Sequence, residues 1–345
     1  MTRPPKHLIM NPIINRSDTD GFVEVQLSIP YAHLNYPHKI QIEKSLYEGA
    51  KESAKSAIVP AGIGDAWLDG YYNAFVFDQA LAHFYTTLLT PFRKIRKDLN
   101  LDTDRYLELL TAYVQSLPYD TEKLASITIA PRFPVETVVD GTGICSDKSI
   151  LLAGMLATEG YAVALLHFTK ENHLAVGIPA PKGFDYLNTG YAVVETTMIS
   201  YIGGDPCTEA KAVSRPKIIK IGNGTKTYSS IRDTARIHTL IRELEEKLNP
   251  EGTLTSELLR LQNSITLQTE KLRELKTELA EERNLERAEV LAELANKKLA
   301  ILQRTIHQYN ALVVDFTHSQ ELAVFIHANR LDRQAVVKRI SREKH

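Results

Sequence analysis

The chain contains 345 residues, of which 43% are hydrophobic and 24% are charged, a composition typical of a folded protein. Its length predicts two domains, or one domain with an extension. The 41 basic and 42 acidic side chains give a net charge of −1, which argues against a protein that binds nucleic acid or an anionic membrane through charge alone. The two cysteines, Cys145 and Cys207, are too few for a disulfide scaffold or a four-cysteine zinc site.

No targeting or membrane-spanning segment is predicted from the sequence. Residues 1–15 lack the apolar run and the small-residue cleavage site of a signal peptide. The most apolar stretch, residues 150–168, contains Glu159 and Gly160 in its middle, so we interpret it as a buried helix followed by a strand. We therefore expect a cytoplasmic protein that does not enter the membrane.

The first third of the chain shows one strand pattern followed by helical patterns. Apolar and polar residues alternate over residues 21–30, which predicts a strand. Helices are predicted over residues 39–57, 65–99 and 102–116. Pro60 and Gly62 are expected to end the first helix, and Thr103 or Asp104 is expected to cap the last.

The middle of the chain has shorter elements separated by turn-forming residues. A helix is predicted over residues 145–159. Strands rich in Val and Leu are predicted over residues 161–168, 174–178 and 191–195. Residues 130–142 and 203–224 contain Gly, Pro and Asn and are interpreted as loops.

The last third of the chain has the pattern of long helices. One helix is predicted over residues 231–248, and the sequence NPEG at 249–252 ends it. The next segment, 253–316, lacks Gly and Pro after its start, so roughly 60 residues would form a rod of about 90 Å. Its heptad seam shifts phase around residues 281–284. A final helix over residues 320–340 leads into a basic tip.

Cys145 is the strongest candidate for a reactive side chain. It follows the sequence GTGI and begins a predicted helix, where the helix dipole and free backbone N–H groups stabilise a thiolate. His173 lies at the start of one predicted strand, and Glu195 lies at the end of another. On neighbouring antiparallel strands these two side chains meet, so the three residues predict a nucleophile, a base and an orienting acid.

Five short segments carry a resemblance to a known family. They are residues 113–119 (YVQSLPY), 132–137 (RFPVET), 143–147 (GICSD), 172–177 (NHLAVG) and 194–197 (VETT). In these segments the chain resembles the transglutaminase-like superfamily of cysteine enzymes, especially archaeal-type transglutaminase-like proteins and bacterial transglutaminase-like cysteine peptidases. The resemblance covers residues 102–197, which is less than a third of the chain.

The resemblance implies an α+β, papain-like fold, with a cysteine at a helix N-terminus and with the histidine and the acid on antiparallel strands. By this match Cys145 would be the nucleophile, His173 the general base and Glu195 the orienting acid. Gln115 would donate to an oxyanion, or would be a structural glutamine. Asp147 matches a site residue of the family, although an acid in the first helical turn also stabilises the helix by itself.

The sequence departs from the family at three positions, one in the predicted triad and two next to the cysteine. The family usually has Asp where Glu195 stands, and Glu is one methylene longer. Ile144 and Ser146 stand where a polar residue and a glutamate often flank the cysteine. These departures motivate an alternative, in which the protein is a catalytically weak scaffold that assembles partners through its coiled coil.

The expected function is that of a cysteine peptidase or an amide or isopeptide hydrolase, which acts through a Cys-His-Glu triad and a thioester. A protein-crosslinking transglutaminase is the second enzymatic alternative. No cofactor and no metal site are expected. The expected partners are a peptide or protein substrate and, through residues 231–318, a second copy of the chain or another protein.

We expect a globular unit followed by a long helical coiled-coil extension, in four segments. These are residues 1–100 (N-terminal strand and helical part), 101–230 (transglutaminase-like core), 231–318 (helical hairpin or coiled coil) and 319–345 (C-terminal helix with a basic tip). In a third arrangement, residues 231–248 would fold back against part of the long helix as an internal hairpin.

Overall fold

A computed structural model describes residues 10–59, 64–126, 130–206 and 213–342. The predicted helix-ending residues Pro60 and Gly62, the second cysteine Cys207 and the end of the basic tip lie outside these ranges. The chain divides into two compact units, of which one contains residues 1–236 and 329–345 and the other contains residues 237–328. The fold combines helices with antiparallel sheets, as an α+β protein does.

The helices and strands of the described residues are numbered in chain order. They are β1 (Phe22–Tyr31), β2 (Leu34–Glu43), α1 (Lys44–Glu52), α2 (Leu68–Phe77), α3 (Ala82–Asp98), α4 (Thr103–Ser116), α5 (Thr121–Leu124), α6 (Pro134–Asp140), α7 (Cys145–Thr158), β3 (Val163–Phe168), β4 (His173–Pro179), β5 (Tyr191–Val194), β6 (Lys217–Ile221), α8 (Ile231–Leu248), α9 (Thr253–Glu281), α10 (Leu285–Ala328) and α11 (Arg333–Arg342).

The first sheet is a hairpin of β1 and β2, and β2 leads directly into α1. The predicted strand over residues 21–30 is confirmed as β1. The prediction of one helix over residues 39–57 is wrong for its first part, because residues 39–43 complete β2. There Ile40 and Ile42 alternate with polar residues and are buried. The alternation is short, so antiparallel pairing with β1 decides the strand.

The helical pattern predicted over residues 65–99 corresponds to two helices, α2 and α3, with a 3₁₀ turn between them. The side chain of Asp78 accepts a hydrogen bond from the backbone N–H two residues on, at 2.9 Å, and so forms this turn. α4 confirms the next predicted helix, but its capping residue is Asp102 instead of Thr103 or Asp104. The Asp102 carboxylate accepts from the N–H three residues on, at 2.8 Å.

Two segments predicted as loops contain regular structure. α6 lies within residues 130–142, because Pro134 occupies the first helical position, where no backbone N–H is needed. The Glu136 carboxylate accepts from the Phe133 N–H at 2.9 Å and completes the start of this helix. β6 lies within residues 203–224 and pairs with β3, a contact between segments that the local turn signals do not reveal.

The second sheet has four antiparallel strands in the order β5-β4-β3-β6. α7 packs against β3 and β4, which confirms the predicted sequence of a helix followed by three strands. Ser149 of α7 donates to the Leu174 carbonyl of β4 at 2.8 Å, and its hydroxyl also hydrogen-bonds with Thr196 at 3.0 Å. These contacts hold the first turns of α7 beside the start of β4.

In the second unit, α9 and α10 pack against each other as an antiparallel hairpin. Leu272 and Leu302 are buried in its contact, and Arg287 pairs with Glu278 at 3.2 Å near the turn. The prediction of a single rod of roughly 60 residues is therefore wrong. The chain reverses over residues 282–284, where the heptad seam shifts phase.

An internal hairpin thus forms, but its two arms are α9 and α10. In the same unit α8 contributes the buried residue Leu244. Lys247 of α8 also forms an ion pair with Asp315 of α10 at 3.8 Å. None of the helices in the described part of the chain combines the length and the apolar character that crossing a bilayer requires.

The final helix predicted over residues 320–340 is divided in the structure. α10 continues to Ala328, and α11 begins at Arg333 after a turn. The Asp332 carboxylate caps α11 by accepting from the Ala335 N–H at 3.0 Å. Arg333 is buried, so it is not part of an exposed basic tip as the sequence pattern suggests.

Candidate active site

Cys145 is the first residue of α7 and is a free, half-buried cysteine. The loop before it makes a close approach to the helix, since a Cβ atom on Gly143 would lie 2.9 Å from the Asp147 Cβ. The Asp147 carboxylate accepts from the Ile144 N–H at 3.1 Å. The lack of a side chain on Gly143 therefore lets the Asp147 side chain pack against this loop and cap the helix. Cys145 then occupies the N-terminus of α7.

The register of the second sheet brings His173 and Glu195 together. Val176 of β4 pairs with Val194 of β5, so Glu195 continues this strand opposite Ala175. His173 is two residues from Ala175 and therefore projects from the same face of the sheet. The Nε2 atom of His173 lies 2.9 Å from a Glu195 carboxylate oxygen, and both side chains are buried.

The second carboxylate oxygen of Glu195 is bound by the turn that follows β5. It accepts from the backbone N–H groups of Thr196 at 2.8 Å and Thr197 at 2.9 Å. The Thr197 hydroxyl donates to the same oxygen at 2.7 Å. Glutamate at this position is thus held from both sides, which stabilises its ionised form. The additional methylene places the carboxylate between this turn and the imidazole.

The environment of His173 favours the protonated imidazole. Burial by itself lowers the pKa of His173, but hydrogen bonds with Cys145 and Glu195 and the charges of these two side chains raise it to about 9. Since Glu195 occupies Nε2, Nδ1 is the ring nitrogen that remains for the thiol. Cys145 and Glu195 are therefore both neighbours of the His173 imidazole.

Gln115 is buried at the end of α4 and contacts the loop after β5. Its amide nitrogen donates to the carbonyl oxygens of Glu195 at 2.8 Å and Ser200 at 3.0 Å. Both amide hydrogens are therefore engaged with backbone carbonyls, and neither is available for an oxyanion in this arrangement. The contacts of Gln115 hold the segment that carries Glu195.

Asp147 is fully buried and joins three segments around the start of α7. It accepts from the Lys123 ammonium group at 2.7 and 2.8 Å and from the Arg132 N–H at 2.8 Å. Together with its hydrogen bond from Ile144, these contacts make Asp147 the capping acid of α7. Asp147 therefore fixes the loop that positions the thiol.

Lys148 is a residue of this region that the sequence reasoning missed. It is fully buried, and its ammonium group donates to the carbonyl oxygens of Leu117 at 2.7 Å and Gln115 at 3.2 Å. Burial lowers the pKa of Lys148 to about 8, although the charge of Glu195 opposes this effect. The signal in the sequence is a lysine that stands two residues before the apolar run of α7.

Tyr119 is a second residue that the sequence reasoning missed. Its backbone forms a parallel bridge with Gly143, which places Tyr119 beside the loop that leads to Cys145. The tyrosine ends the motif YVQSLPY, whose likeness to the family assigns it no role. Burial and the neighbouring Cys145 raise the pKa of Tyr119, so its hydroxyl keeps its proton at neutral pH.

Comparisons with known proteins identify the same part of the chain. No curated protein matches the sequence, whereas a family model described as a transglutaminase-like domain matches residues 93–185. The matched span includes Cys145 and His173 and ends before Glu195. No group of three acidic, histidine or cysteine side chains that could hold a metal ion occurs among the described residues. Residues 93–185 therefore match a transglutaminase-like domain, which supports the resemblance to the transglutaminase-like superfamily in this part of the chain.

Proposed function

We propose that the protein is a transglutaminase-like cysteine enzyme that hydrolyses a peptide, amide or isopeptide bond. The observation that supports this proposal best is the buried hydrogen bond at 2.9 Å between His173 Nε2 and the Glu195 carboxylate, at the start of the strand β4 that packs against α7, the helix that begins at Cys145. A buried imidazole between a thiol and a carboxylate is the arrangement that thiol proton transfer requires. The helix N-terminus and the antiparallel strands agree with a papain-like architecture.

In the proposed reaction, His173 takes the thiol proton and the Cys145 sulfur attacks the carbonyl carbon of the scissile amide. The leaving nitrogen takes the proton from His173 as the C–N bond breaks, and a thioester remains on Cys145. Water then attacks the thioester, with His173 as the base, and releases the acid. Glu195 acts as a positioning residue that orients the imidazole and stabilises its protonated form.

The same residues are compatible with two other functions. If an amine takes the place of water, the thioester gives a new amide, and the protein is a crosslinking transglutaminase. If Ile144 and Ser146 disable substrate binding, the domain is a scaffold whose helical region 231–318 assembles partners. We favour hydrolysis because the prokaryotic members that the chain resembles are mainly proteolytic.

The test compares the wild-type protein with Cys145→Ser and, as a matched control, Cys207→Ser. Each is incubated with a broad peptide library and an added primary amine, and cleaved and crosslinked products are identified by mass spectrometry. We expect products with the wild type and with Cys207→Ser, and none with Cys145→Ser. Products that persist in Cys145→Ser would contradict the thiol mechanism, and amine adducts in place of cleavage would identify a transglutaminase.

The thiol itself is tested by limited alkylation with iodoacetamide. We expect Cys145 to be labelled faster than Cys207, because a neighbouring imidazolium and the helix N-terminus favour its thiolate. His173→Ala should slow the labelling of Cys145 and leave that of Cys207 unchanged. Equal and slow labelling of both cysteines in the wild type would favour the scaffold.

For partners, we propose that the helical region 231–318 binds a second copy of the chain or another protein. The apolar residues Leu259, Val290 and Ile301 are exposed on α9 and α10, which supports an association through these helices. Light scattering of the full chain measures its mass, and a monomer would exclude the homodimer. Nucleic acid and membranes are not proposed as partners, and cytoplasmic localisation stays a prediction.

A further inference from the structure

Lys148 is a fully buried lysine of α7 and lies three residues after Cys145 in the chain. Its ammonium group donates to the carbonyl oxygens of Leu117 at 2.7 Å and Gln115 at 3.2 Å, at the end of α4. Lysine is rarely buried to this extent, because removing an ammonium group from water costs free energy that other groups must offset. A charge kept at this place therefore indicates a role that an apolar side chain does not fill.

Two other lysines with little exposure have direct carboxylate partners. Lys55 pairs with Glu136 at 3.3 Å, and Lys123 pairs with Asp147 at 2.7 Å. Lys148 differs from both, since its hydrogen bonds go to backbone carbonyl groups and no ion pair between described residues includes it. Its charge must therefore be compensated by a group beyond direct contact.

Gln115 connects Lys148 to the segment that carries Glu195. The backbone carbonyl of Gln115 accepts from the Lys148 ammonium group. The side-chain amide of Gln115 donates to the carbonyl oxygens of Glu195 at 2.8 Å and Ser200 at 3.0 Å, and its oxygen accepts from the Ser200 N–H at 3.4 Å. One residue at the end of α4 thus joins the helix that begins at Cys145 to the loop that begins at Glu195.

The charges of the proposed site balance when Lys148 is protonated. In the reactive state the Cys145 thiolate and the Glu195 carboxylate are negative, and the His173 imidazolium alone is positive. A net negative charge is unfavourable in a buried site, and the Lys148 ammonium group makes the set neutral. The charge of Glu195 acts on Lys148 in the matching direction, because it favours the protonated lysine.

We propose that Lys148 is a positioning residue for Glu195, because its ammonium group holds the end of α4 and thereby fixes, through Gln115, the Glu195 segment relative to α7. This inference rests on the proposed thiol chemistry and adds to it the residue that couples the acid to the helix of the nucleophile. Lys148 is buried behind Gln115 and Leu117, so it acts through the orientation and charge of Glu195 and transfers no proton itself.

The test is a double-mutant cycle on the rate of Cys145 alkylation by iodoacetamide near pH 7. Lys148→Met retains an unbranched side chain but removes the charge and the donors. Because Lys148 acts through Glu195, its removal slows alkylation at most as much as removal of the Glu195 charge, which we expect to be up to roughly fourfold. In a protein that already carries Glu195→Gln, Lys148→Met should have no further effect. A merely structural role would slow alkylation equally with and without Glu195→Gln.

A second variant and a matched control complete the experiment. Gln115→Met breaks the same connection while the charge of Lys148 remains, and we expect it to slow alkylation to a similar extent, again without further effect beside Glu195→Gln. Lys55→Met is the control, since the Lys55 ammonium group also donates to two carbonyl groups at the end of a helix, α1. We expect Lys55→Met to leave the alkylation rate unchanged.

Thermal unfolding identifies which variants are folded at the assay temperature, and if Lys148→Met is unfolded there, Gln115→Met decides the question. An unchanged alkylation rate in the folded variants, or effects that add fully to that of Glu195→Gln, would overturn the positioning role. If Glu195→Gln alone leaves the rate unchanged, the proposed function itself fails, which is a different result from the failure of Lys148 alone.

Discussion

At the scale of single residues, the proposed thiol chemistry depends on how the buried charges around His173 are balanced. Burial disfavours the imidazolium, but the thiol on one side and the carboxylate on the other more than reverse this effect. The Glu195 carboxylate is able to do this because the turn at Thr196 and Thr197 supplies three donors to its second oxygen. The departure from aspartate is therefore accommodated by the local turn.

The charge of Glu195 is expected to set the reactivity of Cys145. Glu195→Gln retains the size of the side chain but removes the negative charge that raises the pKa of His173. We expect the rate of Cys145 alkylation by iodoacetamide near pH 7 to fall up to roughly fourfold, because a return of the His173 pKa to its ordinary 6.5 lowers the protonated fraction from nearly all to about one quarter. The control is Glu171→Gln, because this carboxylate binds Ser214 at the surface. An unchanged alkylation rate in Glu195→Gln would contradict the role of the charge.

The raised pKa of His173 also predicts how stability depends on pH. The folded protein holds a proton on His173 up to about pH 9, whereas the ordinary pKa is 6.5. Between these values the folded state binds more protons than the unfolded state, so the stability that His173 contributes is complete below the lower value and is lost as the pH rises through the upper one. Removal of the imidazole in His173→Gln should abolish this dependence.

Urea unfolding of wild type and His173→Gln at a series of pH values measures the effect. We expect the advantage of the wild type in unfolding free energy to shrink by roughly 1–3 kcal/mol across this interval. A difference that stays constant with pH would show that the folded-state pKa of His173 is not raised.

At the scale of elements, the site depends on how α7 is placed between α3, α4 and the second sheet. Ser149 fixes α7 to β4, and Lys148 fixes α7 to the carbonyl groups at the end of α4. Gly154 lets α7 approach α3, because a Cβ atom there would lie 2.5 Å from the Tyr85 ring carbon that bears the hydroxyl. The position of the thiol follows from these contacts on three sides of one helix.

The close approach at Gly154 predicts that alanine there destabilises the protein, although helix propensity alone predicts that it stabilises it. In a helix, Gly→Ala is usually stabilising by about 1 kcal/mol. We expect Gly154→Ala to lower the free energy of unfolding by about 2 kcal/mol, because the Tyr85 ring and the helix must separate. Gly70→Ala in α2 is the control, since its Cβ would meet only the end of the Asn11 side chain at 3.0 Å, and it should be neutral or stabilising. Chemical denaturation measures both, and a stabilising effect of Gly154→Ala would refute the close packing.

At the scale of the whole molecule, residues far apart in the chain complete the first unit. Arg333 at the start of α11 pairs with Glu108 of α4 at 2.6 Å and with Asp233 at 3.0 Å. The Tyr228 hydroxyl donates to the same carboxylate of Glu108 at 2.6 Å. Tyr201, which follows the Glu195 loop, donates to the Asn329 carbonyl at 3.0 Å. The C-terminal residues thus return to the unit that contains the candidate site.

The buried arginine is expected to be important for stability. Arg333→Met retains much of the side-chain volume but leaves Glu108 with no guanidinium partner, and removal of one member of a buried ion pair typically costs 3–5 kcal/mol. We expect a loss of about 3 kcal/mol in the free energy of unfolding. Lys94→Met removes an exposed ion pair with Asp98 and should cost less than about 1 kcal/mol. Equal effects of the two substitutions in urea unfolding would contradict this interpretation.

The elements that carry the candidate site residues could be predicted from the order of residue types along the chain. A cysteine after a glycine-containing turn and before an apolar helical pattern predicts a thiol at a helix N-terminus, and α7 has this form. His173 and Glu195 adjoin two predicted strands, and the antiparallel register brings them together. Gln115 shows the limit of such reasoning, because its direction depends on which carbonyl groups lie near it in the folded chain.

The sequence by itself determined the local elements around the thiol, because periodicity, capping and turn chemistry act within a few residues. Only the tertiary structure decided that β6 joins β3, that α9 folds onto α10, and that Arg333 is buried. Each of these depends on the free energy of contacts between distant segments, which local patterns do not encode. For the same reason the sequence did not place Tyr119 beside the loop before Cys145, because the bridge between Tyr119 and Gly143 forms only in the folded chain.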